Sequence, residues 1–143
     1  MPDKTSITVE ATVFAPAETV WDMWTAPEHI KLWNSASPDW HTPRATSDLR
    51  VGGTFISRME AKDGSMGFDF GGTFTTVVPE KTLAYTMSDG RKVSVTFTEE
   101  NGATHITEIF DAESENPVEM QRDGWQAILD NFKKYVETHA KQA

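Results

Sequence analysis

The sequence predicts an α+β fold in which one curved antiparallel sheet wraps around a long C-terminal helix. Three observations predict it. Apolar and polar residues alternate through most of the chain between Ser6 and Asp111, the period-two signature of half-buried strands. These runs are separated by Lys62-Asp-Gly-Ser65, Ser88-Asp-Gly-Arg91 and Glu100-Asn-Gly102. Asp-Gly and Asn-Gly pairs supply positive φ for tight hairpins, and strands joined that way must be antiparallel. Finally, Val118 to about Thr138 carries Met120, Gly124, Trp125, Ile128, Leu129, Phe132, Tyr135 and Val136 at helical steps, a wide stripe over about five turns. An antiparallel sheet with one apolar face needs a cover, and this helix alone is long and apolar enough to supply it.

The elements follow in order. Ile7, Val9, Ala11 and Val13 alternate with Thr8, Glu10 and Thr12, which predicts a first strand. Pro16 opens a helix from its first turn, where a missing N–H costs nothing. Val20, Trp21 and Trp24 share one side of that helix. Thr25-Ala-Pro-Glu28 reads as a capping box for a second short helix, with Thr25 as cap and Glu28 reaching back. Ser35 to Pro43 reads as a loop holding Trp40-His41. After a turn at Arg50-Val-Gly-Gly53, strands are expected at Thr54–Ala61 and Gly67–Val78. Phe68, Phe70, Phe74, Thr76 and Val78 share one side of the latter, and Gly71-Gly72 marks a bulge or sharp bend. Further strands cover Thr82–Met87, the Val93/Val95/Phe97 run and Thr104–Asp111. There is no repeat and no linker, so residues 1–143 read as one domain.

Composition excludes several classes. The formal net charge of −9 argues against electrostatic binding to nucleic acid or anionic membrane. No stretch approaches the roughly 20 apolar residues of a membrane helix, so no membrane insertion is expected. The start, MPDKTSITVE, lacks the apolar region of a signal peptide, and the absence of cysteine suits a reducing cytoplasm. His29, His41, His105 and His139 have no paired metal-ligand spacing, and no phosphate loop, dinucleotide fingerprint or nucleophile elbow occurs. No metal and no cofactor is expected.

Several strings resemble a known family: Ala15-Pro-Ala-Glu-Thr-Val-Trp, Trp24-Thr-Ala-Pro-Glu28, Trp33, Gly52-Gly53, Asp63-Gly64, Gly72-Thr-Phe74, and Gly124-Trp125 with Leu129 and Phe132. Together with the element order they resemble the START-like superfamily, and within it the branch named after the Hsp90 ATPase activator homologues. The resemblance implies the helix-grip fold, a six- or seven-stranded antiparallel sheet gripping a long helix with a cavity between them. The superfamily includes lipid carriers, hormone receptors, polyketide cyclases and co-chaperones, so fold does not fix function.

The candidate site is that cavity. Ligand pockets are mostly apolar with a few placed polar groups. Trp24, Trp33, Trp40, Phe55, Phe70, Phe74, Tyr85, Met120 and Trp125 are the expected wall, and further methionines such as Met59, Met66 and Met87 would line it adaptably. Trp21 is expected to pack the first helix onto the sheet, while Trp24, Trp33 and Trp40 stand at the mouth with their indole N–H groups free for water or ligand. His41, beside Trp40, is a candidate acid or base. Glu108 shares a parity with Thr104, Ile106 and Phe110, and an inward carboxylate there would need a partner or a raised pKa. The opposite parity, with His105, Thr107 and Ile109 inward, is nearly as apolar, and the sequence leaves the choice open. The function expected is binding of a hydrophobic small molecule such as a lipid, polyketide or aromatic metabolite. The alternatives are a cyclase- or hydratase-like enzyme using the same cavity, and an Hsp90-regulator role. Exposed strand edges would allow a homodimer.

Overall fold

The computed structural model describes residues 5–35, 38–114 and 116–140. Its elements run β1 (Ser6–Val13), α1 (Ala17–Thr25), α2 (Pro27–Trp33), β2 (Trp40–Ser47), β3 (Thr54–Ala61), β4 (Gly67–Val78), β5 (Thr82–Met87), β6 (Lys92–Glu100), β7 (Ala103–Asp111) and α3 (Val118–Ala140). The strands form one antiparallel sheet in the order β1-β7-β6-β5-β4-β3-β2. Five consecutive hairpins join β2 through β7, and β1 closes against the last strand. The sheet curls around α3, whose Leu129, Phe132 and Val136 are fully buried against Ile7, Val9, Val95, Ile106 and Phe110.

Polar side chains of α3 also hold the β1 edge. Gln126 Nε2 donates to the Glu10 carbonyl at 3.0 Å, and Lys133 Nζ donates to that of Thr12. Two backbone acceptors of that edge are thereby occupied, which blunts it for strand pairing.

Thr104 is a buried hydroxyl beside this seam, opposite Val13 in register. Its Oγ1 donates to the Ala15 carbonyl at 2.8 Å, tying β7 to the turn after β1. Thr104→Val keeps the shape and leaves that carbonyl unpaired, so a loss of about 1–3 kcal/mol is expected in chemical denaturation.

Four local expectations change. The capping box does not form: α1 runs through Thr25, and the Thr25 hydroxyl donates back to the Trp21 carbonyl at 2.8 Å. Ala26 stands at the start of α2 without a side-chain cap, and Pro27 takes the first turn. The expected loop is half strand, because β2 begins at Trp40 (Ala36 and Ser37 lie outside the described residues). Pro43 fits there because β2 is an edge strand with an irregular register between His41 and Arg44, where a missing N–H breaks no ladder.

Gly71-Gly72 is no bulge; a Cβ on Gly71 would stand 2.6 Å from the Phe55 carbonyl oxygen, and one on Gly72 would collide with that of Thr86. The register shift falls three residues later, between Phe74 and Thr76. Beyond it the faces exchange, so Val77 packs on the core and Val78 is exposed.

Candidate functional site

The sheet curls more widely than α3 alone can fill, and a cavity of about 340 Å³ remains between them. Its floor comes from β3, β4, β5 and β7, and its roof from α3 through Gln121, Trp125 and Ile128. Ile30, Trp33 and Asn34 of α2 and its end, with Leu49 after β2, stand around one side. The lining reaches the exposed residues Leu49 and Phe68, so the cavity opens to solvent.

Strand alternation places the floor. Phe55, Ser57 and Met59 point inward from β3, and Leu83, Tyr85 and Met87 from β5. Their aromatic rings form a connected series. Phe55 lies 5.1 Å from Phe74 and 4.8 Å from Tyr85, edge-on to the latter. Phe70 bridges Tyr85 at 6.3 Å and Trp125 at 6.1 Å. Trp125 stacks flat on Phe110, with centroids 3.8 Å apart. Most of these contacts are tilted or edge-to-face, as ring quadrupoles prefer.

Trp24 and Trp33 belong to both core and cavity. Each packs against Phe132 at 4.8 Å and against the other at 5.1 Å, while both border the cavity. The Trp33 N–H is not free for a ligand; it donates to the Met23 carbonyl at 2.8 Å. Trp21 packs edge-on against Phe97 of β6 at 5.5 Å, which seats α1 on the sheet.

Glu108 points inward. Thr104, Ile106, Glu108 and Phe110 are buried, while His105 and Ile109 are exposed. In register, Glu108 sits between Val95 of β6 and Val9 of β1, with Leu83 of β5 beyond Val95. The residue is 6 % exposed and lines the cavity. Burial pushes its pKa up to about 8. Burial, followed by the Glu108 charge, raises the Tyr85 hydroxyl well above its ordinary value, and Arg91 opposes this.

Two other polar liners are engaged. Gln121 donates to the carbonyls of Glu113 and Asn116 and accepts from the Glu113 N–H. Arg91 is held by Asp89 at 2.7 Å.

Eight of the eleven sequence-predicted residues stand at the cavity: Trp24, Trp33, Phe55, Phe70, Phe74, Tyr85, Glu108 and Trp125. Three do not. Trp40 packs against Phe68 at 5.9 Å and stops short of the cavity. His41 is exposed and pairs in register with Glu60, on the outer side of the sheet. Met120 is 61 % exposed, one step round α3 from the inward line of Gln121, Trp125, Ile128 and Phe132.

Ser57, Gln121 and Ile128 line the cavity without having been singled out. Ser57 was detectable, since it shares parity with Phe55 and Met59. Among the described residues no group of three or more His, Asp or Glu could hold a metal ion, and no helix is long and apolar enough to cross a membrane.

Comparison with known proteins agrees with this architecture. The chain is 49 % identical to an AHSA1-like protein from Aeromonas hydrophila, over 95 % of this chain and 94 % of that one, with a TM-score of 0.90. It is 51 % identical to a protein from Cytophaga hutchinsonii, over 96 % of each chain, with a TM-score of 0.81. A Nitrosomonas europaea protein shares the fold at 19 % identity and a TM-score of 0.80, over 95 % of this chain and 96 % of that one. No curated protein matches the chain. The profile described as "Activator of Hsp90 ATPase homolog 1-like protein" matches residues 14–137, a span from the end of β1 to the last turns of α3 that takes in every wall of the cavity. The chain therefore belongs to the Activator of Hsp90 ATPase homolog 1-like family, within the START-like superfamily.

Proposed function

We propose that the protein binds a hydrophobic small molecule in the cavity between the sheet and α3. One observation carries this reading: an opening of about 340 Å³ is walled by Phe55, Phe70, Phe74, Tyr85 and Trp125 and reaches solvent. That volume and composition fall in the range of small-molecule sites. A fold that needed only a core would close this space, because each unfilled methyl-sized void costs about 1 kcal/mol.

Titration with Nile red, a neutral dye that brightens in apolar surroundings, tests the reading. A saturable emission gain is expected. Ser57→Phe projects a ring into the cavity from β3 and is expected to weaken dye binding at least tenfold while the protein stays folded by circular dichroism. No gain in the native protein, or an equal gain in the folded Ser57→Phe variant, overturns the reading.

A second reading rests on Glu108. A cavity-facing carboxyl with a pKa of about 8 is largely protonated at neutral pH and is placed to act as a general acid. An enzyme of the cyclase or hydratase kind would use it to protonate an apolar substrate held by the same walls. Recovery of the bound molecule chemically unchanged after prolonged incubation marks a carrier, and a change that is lost in Glu108→Gln marks a catalyst.

A further inference from the structure

Glu108 is a buried carboxyl without an internal partner. Of the elements that face it, β1, β6 and α3 offer only apolar or engaged groups, and β5 offers the Tyr85 hydroxyl, which makes no hydrogen bond to it. β1 supplies Val9 and β6 supplies Val95. α3 supplies Trp125, Ile128 and the fully hydrogen-bonded Gln121. Among the described residues no side chain makes a hydrogen bond or ion pair to the Glu108 carboxyl, and no buried polar atom is sealed away from a partner. Its oxygens therefore open onto the cavity.

Burying a carboxyl with no partner is costly. The cost is recovered only if something entering the cavity supplies the opposite charge or a hydrogen bond. The surroundings favour the charge. Arg91 is the one cation among the described lining residues, and Asp89 already holds it. Glu113 adds a second carboxylate to the wall, and its Oε1 accepts only from the Asn116 N–H, at 2.6 Å. The chain as a whole carries −9. An anionic ligand such as a fatty acid would meet carboxylates with no free cation, an exclusion as informative as an attraction. The rings near Glu108 complete the pattern. Tyr85 feels the Glu108 charge, and Trp125 lies stacked over Phe110, the next inward residue of β7. A carboxylate beside aromatic π faces is the chemistry that holds ammonium groups.

Resting on the reading of the cavity as a ligand site, we propose that it takes a hydrophobic cation, an aryl or alkyl ammonium, with its charge against Glu108 and the rings of Tyr85 and Trp125.

Three matched naphthalenes test this by calorimetry at pH 8: the permanently charged naphthylmethyl-trimethylammonium, the neutral naphthylmethanol and the anionic naphthoate. The cation is expected to bind at least tenfold more tightly than the alcohol, and the naphthoate more weakly than either. Glu108→Gln is expected to erase the preference for the cation and leave the alcohol within about threefold.

The wild-type protein gives an independent check. Glu108 must ionise to pair with the cation, so affinity for the ammonium is expected to rise about tenfold from pH 7 to pH 9 while affinity for the alcohol stays flat. Tyr85, whose hydroxyl is pushed by burial well above its ordinary value, stays neutral over this range. Binding of the alcohol without any preference for the cation, a preference that survives Glu108→Gln, or a flat pH profile for the ammonium overturns this proposal alone. Failure of all three probes to bind overturns it together with the cavity reading.

Discussion

Glu108→Met is expected to gain stability over the wild-type protein as the pH rises, with the difference widening by about 4 kcal/mol between pH 5 and pH 8. The folded Glu108 carboxyl has a pKa of about 8, raised by burial among Val9, Val95 and the roof of α3. In the unfolded chain it returns to the usual value near 4.5. A raised folded pKa means that the folded state holds the proton more tightly. Its contribution is fully present below the unfolded pKa, declines as the pH climbs from about 4.5, and is lost once the pH passes about 8. Methionine has similar volume and no proton, so its profile lacks this decline. The acidic limb is separate: Glu60, hydrogen-bonded by Arg58 and thereby lowered, acts only below the usual carboxylate range. Urea denaturation of both proteins at half-unit pH steps gives the comparison. Parallel profiles would mean that the carboxyl is solvated in the folded state, and the cavity would then be wetter than its walls imply.

Why this carboxyl faces inward was not legible before the structure. Two parities of β7 were nearly equal in hydrophobicity, with Ile106 and Phe110 on one side and Ile109 on the other. Pairing decides it. Val93, Val95 and Phe97 of β6 point inward, and they oppose Phe110, Glu108 and Ile106. The hairpins were legible because Asp-Gly and Asn-Gly carry their own conformational signal. Gly64, Gly90 and Gly102 do sit at positive φ. The register shift near Phe74 carried no such signal: the extra residue is Thr75, which suits an ordinary strand, and the Gly-Gly pair upstream drew attention to the wrong place. The glycines answer instead to neighbouring carbonyls that leave no room for a Cβ.

Two causes separate Trp40, His41 and Met120 from the cavity. Trp40 and His41 were assigned by nearness to the expected mouth, whereas direction decides access; Met120 heads the expected helical stripe, but the line that reaches the cavity begins one residue later, at Gln121. His41 is the second residue of an edge strand, with its side chain outward, and Met120 sits roughly one-third of a turn off the inward stripe of α3. The residues assigned by alternation, Phe55, Phe70, Phe74 and Tyr85, do reach the cavity. Periodicity is a statement about side-chain direction; proximity along the chain is not.

Phe132→Ala is the substitution expected to cost most in the core, about 4 kcal/mol at neutral pH. The ring is fully buried and meets both Trp24 and Trp33 edge-on at 4.8 Å. It joins the long helix to α1 and α2 at one point, so its removal leaves a void that three elements would have to collapse to fill. Asn131 restrains that collapse, because its Nδ2 donates to the Trp33 carbonyl at 2.7 Å and holds the backbone of α2 in place. Trp24 and Trp33 each present one side to Phe132 and another to the cavity. The void is therefore expected to join the cavity, so the variant should lose stability in urea yet keep or increase its capacity for Nile red. Trp125→Ala is the contrast. That ring is only partly buried and rests on Phe110 across the roof, so its loss should weaken ligand retention more than it weakens the fold. A Phe132→Ala variant within about 1 kcal/mol of wild type would mean that the three elements repack freely around α3. The tryptophans would then be adaptable cavity wall and not the rigid frame on which the cavity depends.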